Sequence, residues 1–175
     1  MQDIEVLGTP GSPYTRKMTA LLRYRRIAHR TIWGSHFDPP SGYPPPKVKL
    51  LPTFYFPTAE GKEAMVDSTP IIQRLEAEHS GRSVVPEDPL LGFLDRLIED
   101  FADEWLTKAM FHYRWHYAED AAHASPLLAF WQDLQLDSDR AQQSSQAFAE
   151  RQISRLYVVG SNDITAPPPL GAYFC

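Results

Sequence analysis

The sequence predicts an α/β unit followed by an all-helical unit. Three observations carry this reading. Residues 4–33 alternate between β-forming, helical and β-forming patterns. Residues 53–66 read as a hairpin and lead into a capped helix. From Pro89 onward, apolar residues recur every three or four positions with no strand pattern. The expected organisation is therefore a first domain over 1–80, a linker over 81–89 and a helical domain over 90–175.

The elements follow in order. Residues 4–7 are a short apolar run, expected as a buried strand. Residues 13–24 read as a helix, with Met18, Leu21 and Leu22 on one face and Arg16, Lys17 and Arg23 around the other. Residues 29–33 are rich in β-formers. Strand, crossover helix and strand make a βαβ unit, so the two strands should be parallel. Prolines crowd residues 34–49 and forbid regular helix or sheet over most of that loop. Residues 53–56 and 64–66 pair across an Ala59-Glu60-Gly61-Lys62 turn. Asp67-Ser68-Thr69-Pro70 opens a second helix, which Ser80-Gly81 ends. A long amphipathic helix is expected from Pro89 to about Tyr117, then a shorter piece over 127–134. A last helix, capped by Asp137 or Ser138, is expected to run through Leu156 to Gly160.

Composition bounds the function. The chain has 175 residues, of which 43% are hydrophobic and 22% charged, with a net charge of -5. That balance gives no global case for nucleic acid or an anionic membrane as partner. The only cysteine is Cys175, so an intrachain disulfide, a cysteine-based zinc site and a Cys-x-x-Cys redox pair are excluded. No apolar run approaches the ~20 residues that span a bilayer. The N-terminus lacks the pattern of a secretory signal. These features fit a cytoplasmic protein.

The stretch with most chemical content is Gly8-Thr9-Pro10-Gly11-Ser12-Pro13-Tyr14-Thr15-Arg16-Lys17. Ser12 is a good N-cap and Pro13 suits the first helical position. A hydroxyl thus stands at the positive end of a helix, beyond a strand end, where an anion can be held. Capping alone would select the same residues.

Taken together, the motifs resemble the glutathione transferase family. The resemblance rests on Ser12-Pro13-Tyr14-Thr15-Arg16-Lys17, similar to the family's active-site turn and first helix. It rests also on Leu51-Pro52-Thr53, where the family places a cis-proline, and on Asp67-Ser68 at a helix start. It covers residues 4–79 in the correct order. It implies a thioredoxin-like first domain (βαβ-αββα) and an all-α domain after it. It also implies glutathione as co-substrate, with no metal.

By resemblance, Ser12 donates a hydrogen bond to the glutathione thiolate, and Tyr14 stands nearby as a second hydroxyl. A free thiol with a pKa of ~8.5 is mostly protonated at neutral pH, so a donor and a helix N-terminus favour its reactive form. Leu51, before Pro52, would take the cysteinyl part through its backbone. Ser68 and the helix start would take the γ-glutamyl carboxylate, while Asp67 would pair with the ammonium. Lys49 is the candidate for the glycine carboxylate, although Lys47 is as well placed by sequence. Some relatives carry cysteine where this chain has Ser12, so cysteine-dependent reductase chemistry is disfavoured.

His112 and His116 lie one helical turn apart, a spacing that can chelate a metal, but no acidic residue completes a metalloprotease pattern. Trp105, Phe111, Tyr113 and Trp115 are expected as part core and part wall of a second-substrate pocket, with Trp105 in the core. Residues 158–163 read as a helix end and a turn. The family's following core helix, with its Ser/Thr-x-x-Asp capping box, is not recognisable in 165–175. A truncated chain with unpartnered apolar faces is the expectation.

The sequence thus points to a glutathione transferase-like protein that activates glutathione for attack on an electrophilic small molecule, with a homodimer possible. The alternative is a non-catalytic protein of the same fold that binds glutathione or a protein partner.

Overall fold

The computed structural model describes residues 3–36, 39–133 and 137–161. They divide into two compact units. One runs up to Val85 and includes Trp131–Asp133; the other holds the remainder. Expectations for Asp38, Leu134 and residues 162–175 lie outside the described residues.

The first unit is a four-stranded sheet with two helices. The strands are β1 (Ile4–Gly8), β2 (His29–Trp33), β3 (Thr53–Thr58) and β4 (Gly61–Met65), in the order β2-β1-β3-β4. β1 and β2 are parallel, with Ile4 opposite His29 and Gly8 opposite Trp33. β3 runs antiparallel to both β1 and β4. β1 is central, and all five of its residues are buried, as a strand covered on both faces must be.

Helix α1 (Pro13–Arg25) is the crossover, and α2 (Ser68–Glu78) follows β4. The main core forms on one face of the sheet. Ile4, Val6, Phe54 and Phe56 meet Met18 and Leu22 of α1 and Ile71 and Leu75 of α2. Alternation along β1 sends Glu5 and Leu7 to the other face. There Tyr43, from the proline-rich loop, packs edge-on against Tyr55 at 4.7 Å. Residues 34–36 and 39–52 form no helix or strand, as their prolines predict. Gly8 is required by close approach: a Cβ there would lie 2.4 Å from Thr15 Cγ2.

The second unit is helical. Its elements are α3 (Pro89–Phe101), a π-helical turn over Ala102–Leu106, α4 (Thr107–Trp115), α5 (Ala118–Gln132, whose last two residues count with the first unit), α6 (Ser138–Ile153) and a 3₁₀ turn over Leu156–Val159. The single long helix expected to Tyr117 is thus interrupted by a wider turn. The Thr107 hydroxyl bonds the Asp103 carbonyl at 2.6 Å, as back-bonding side chains do in bent helices. The short piece expected from residue 127 is the end of a helix beginning at Ala118. Its first half is mostly small and polar, which hides the period, and Pro126 lies within it. Asp137 caps α6 by accepting from the Arg140 N–H at 2.9 Å. That helix stops at Ile153, and a separate 3₁₀ turn carries the chain to Gly160 in the left-handed conformation, φ 71°. Trp115 is buried, and its ring centroid lies 5.7 Å from that of Phe148. Trp105 corrects the expectation of a core role: it is 54% exposed, and the Lys108 ammonium sits 4.3 Å above its ring. No helix among the described residues is long and apolar enough to cross a membrane.

Candidate functional site

The site is built from the starts of two helices and the loop before β3. Ser12 has extended backbone and Pro13 occupies the first turn of α1. The Ser12 Oγ accepts from the Thr15 N–H at 3.2 Å, and its own N–H donates to the Thr9 carbonyl at 3.1 Å. Arg16 Nε ties the turn back to the Pro10 carbonyl at 2.9 Å. Capping uses one lone pair of the Ser12 oxygen. The hydroxyl proton stays available to a second partner. Tyr14, on the first turn, is half-buried.

Leu51–Pro52 is a cis peptide bond. Pro52 is buried and Leu51 half-buried. The Thr53 hydroxyl donates to the Leu50 carbonyl at 2.8 Å and pins the chain on entry to β3.

Asp67 caps α2 with φ 77°, a left-handed value that aspartate tolerates better than most residues. Its Oδ1 accepts from the Thr69 N–H at 3.3 Å. Ser68 follows and is buried. Lys17, from α1, donates from Nζ to the Ser68 Oγ at 3.1 Å. The two helix starts are therefore joined by a cation that sequence reasoning left on the outer face of α1. Its signal was available: Lys17 lies five residues beyond Ser12, about 7.5 Å along the helix axis. Lys49 and Lys47 both stand exposed on the loop. No hydrogen bond among the described residues brings Lys49 to the others. Likewise, no cluster of three or more metal-ligating side chains occurs among the described residues.

A four-stranded mixed sheet, a cis-proline before β3 and a capped first helix define a thioredoxin-like domain. Residues 6–83 match the family model "Glutathione S-transferase, N-terminal domain". The match covers less than half of the chain and likens its first unit to the N-terminal domain of glutathione S-transferases. No curated protein matches the chain.

Similar solved structures include a glutathione S-transferase from Methylobacterium radiotolerans JCM 2831 in complex with glutathione sulfonate. Identity is 19%, over 90% of this chain and 65% of that one, with a TM-score of 0.44. A glutathione transferase family member from Pseudomonas fluorescens Pf-5, with bound glutathione, is 21% identical over 90% of this chain and 69% of that one, TM-score 0.39. The same kind of protein with bound S-(propanoic acid)-glutathione gives 22% identity over 90% and 68%, TM-score 0.35. The chain spans less than two thirds of the length of the first of these.

Proposed function

We propose that the first unit binds glutathione and that Ser12 stabilises its thiolate for attack on an electrophilic small molecule. The observation that carries the reading is the bond from Lys17 to Ser68. It sets a positive charge and a hydroxyl at one helix start, with Ser12 at the start of the helix that bears Lys17. An extended tripeptide reaches about 10 Å, which suits a ligand with a carboxylate at one end and a thiol in the middle.

The roles follow from chemistry. Ser68, the positive end of α2 and Lys17 would take the γ-glutamyl carboxylate, and Asp67 its ammonium. The Leu51 backbone would take the cysteinyl residue beside Pro52, and Lys49 is the proposed partner of the glycine carboxylate. Ser12 would donate its hydroxyl proton to sulfur while keeping its bond to Thr15. The thiol proton leaves to solvent. The thiolate then forms a carbon–sulfur bond to the electrophile, whose leaving group departs with the bonding pair. The match of residues 6–83 to the glutathione S-transferase N-terminal domain supports this reading. A non-catalytic glutathione-binding role uses the same contacts and differs only in turnover.

Titration calorimetry with glutathione on wild type and Asp67→Ala tests the binding, and conjugation of a chloro-dinitroarene tests the reaction. Saturable binding that the variant loses, with turnover above buffer, is the expected result. Binding without turnover leaves the non-catalytic role. A folded protein that does not bind overturns both.

A further inference from the structure

The second unit contains a pair of histidines that the proposed glutathione chemistry does not use. His112 on α4 and His116 at its C-terminal cap are one turn apart, so their rings share a face. The rings stack with centroids 4.6 Å apart and planes 22° off parallel. Both close on one residue, Ser161. His116 Nδ1 bonds the Ser161 carbonyl at 2.9 Å, and His112 Nδ1 bonds its hydroxyl at 2.9 Å.

A carbonyl only accepts, so His116 carries its proton on Nδ1 and can gain a second only on Nε2. His112 is 4% exposed, and its Nε2 is buried without a hydrogen-bond partner. Neutral rings suit this arrangement; charged rings do not. Two imidazolium rings stacked at this distance repel each other.

Among the described residues no ion pair offsets that charge, and the nearest carboxylates in sequence, Glu119 and Asp120, stand in the first turn of α5, three and four residues beyond His116. On α4 the neighbouring ionisable groups are Lys108 and Arg114, both cations, and Tyr113, with Tyr117 just beyond its end. Tyr113 and Tyr117 meet His112 edge-on at 5.0 and 5.6 Å, and Tyr117 meets His116 at 4.9 Å. The 3₁₀ turn carries Tyr157, and Arg155 immediately precedes it. The C-terminal end of α6 carries Arg151 and Glu150, the latter bonded to Gln146 at 3.1 Å. Among the described residues, no carboxylate pairs with either imidazole.

We propose that His112 and His116 form a proton-operated clamp on Ser161, which holds the Leu156–Ser161 turn against α4 when neutral and releases it when both rings are charged. The turn depends on its last residue. The Ser161 N–H donates to the Leu156 carbonyl at 2.9 Å, and the Gly160 N–H donates to the Tyr157 carbonyl at 3.1 Å. Leu156 is buried, so release exposes an apolar side chain. The direction of titration agrees. Burial first, and the charge of His116 second, push the His112 pKa below its ordinary value of 6.5. A depressed histidine pKa contributes stability that is complete above the unfolded value and is lost as pH falls below it.

The test is amide hydrogen exchange on the full chain at about pH 7.5 and about pH 5.5, corrected for intrinsic exchange. The expected result is a loss of protection of about tenfold at Val158, Gly160 and Ser161 under acid, with Val6 and Phe54 unchanged. In a His112→Phe/His116→Phe variant, which keeps two stacked rings, the acid-induced loss should vanish. Unchanged protection of the wild-type turn under acid overturns the clamp, as does the same loss in the variant. Nitrogen NMR of the two wild-type imidazoles does not depend on the variant folding. Charging of His112 should coincide with exposure of the turn. A His112 that titrates like an exposed histidine while the turn stays protected also overturns the clamp.

Discussion

Arg25 of α1 forms an ion pair with Glu76 of α2, Nη1 to Oε1 at 2.9 Å, with the arginine side chain only 1% exposed. The approach lacks hydrogen-bond alignment, and Nη1 has no other partner. The Nη2 donates instead to the His79 carbonyl at 2.6 Å. Glu76 also accepts from the Ser83 hydroxyl at 2.7 Å and the Val84 N–H at 3.2 Å. One carboxylate therefore ties both helices to the end of the first unit. Glu76→Ala leaves a buried guanidinium uncompensated. A loss of about 3 kcal/mol in urea unfolding is expected, because breaking a buried pair from one side is costly. A loss below about 1 kcal/mol would mean that the carbonyls suffice.

Ser12 has two separable roles. Ser12→Ala removes the cap of α1 and should cost about 1 kcal/mol of stability. It also removes the proposed donor to sulfur. A hydrogen bond to a charged group contributes roughly 1.5–3 kcal/mol, so turnover should fall roughly tenfold to a hundredfold. Glutathione affinity should hold, and the thiolate absorbance of the bound peptide should appear at higher pH. Unchanged turnover would pass the role to Tyr14.

Lys17→Met keeps the length of the side chain and removes its charge. Glutathione affinity should fall about tenfold, as for one lost charge-assisted bond. An analogue lacking the γ-glutamyl α-carboxylate should bind wild type and variant equally. If both ligands weaken together, Lys17 merely orders Ser68.

Glu5 makes the unit sensitive to acid. Burial alone would raise its pKa, but bonds from Lys62, Arg30 and Tyr43 outweigh it and hold the carboxyl below the model-peptide value of 4.5. A lowered carboxylate pKa contributes stability that is present above the unfolded value and lost as pH falls through the folded one. Arg30 is largely exposed, so screening limits the effect. Glu5→Gln should cost about 1 kcal/mol at neutral pH. The gap from wild type should close below about pH 4, as read by thermal unfolding across pH. A constant gap would mean that only packing was lost.

Much of the first unit was legible because local chemistry and global fold agree there. Ser12 and Pro13 mark the start of α1, and β-formers fill His29–Trp33. The prolines of 34–49 rule out a helix. Lys17 was missed because its role depends on a partner 51 residues away, which periodicity does not report. In the second unit, α5 was half hidden because Ala118 to Ser125 has no apolar stripe. Trp105 was misplaced because spacing finds a face but does not tell whether anything covers it. Asp67 and Ser68 were legible as a cap, yet the positive φ at Asp67 was not.

The wider turn at Ala102–Leu106 leaves a phase slip in the long helical segment. One extra residue per turn rotates everything downstream by about 100° relative to a regular helix. The apolar row of Leu90, Leu94, Leu97 and Phe101 therefore does not continue straight into Met110 and Trp115. The upstream row lies exposed along α3, while Trp115 and His112 point inward. A single insertion thus lets one nearly continuous rod present two differently aimed stripes, one to the unit's own interior and one away from it.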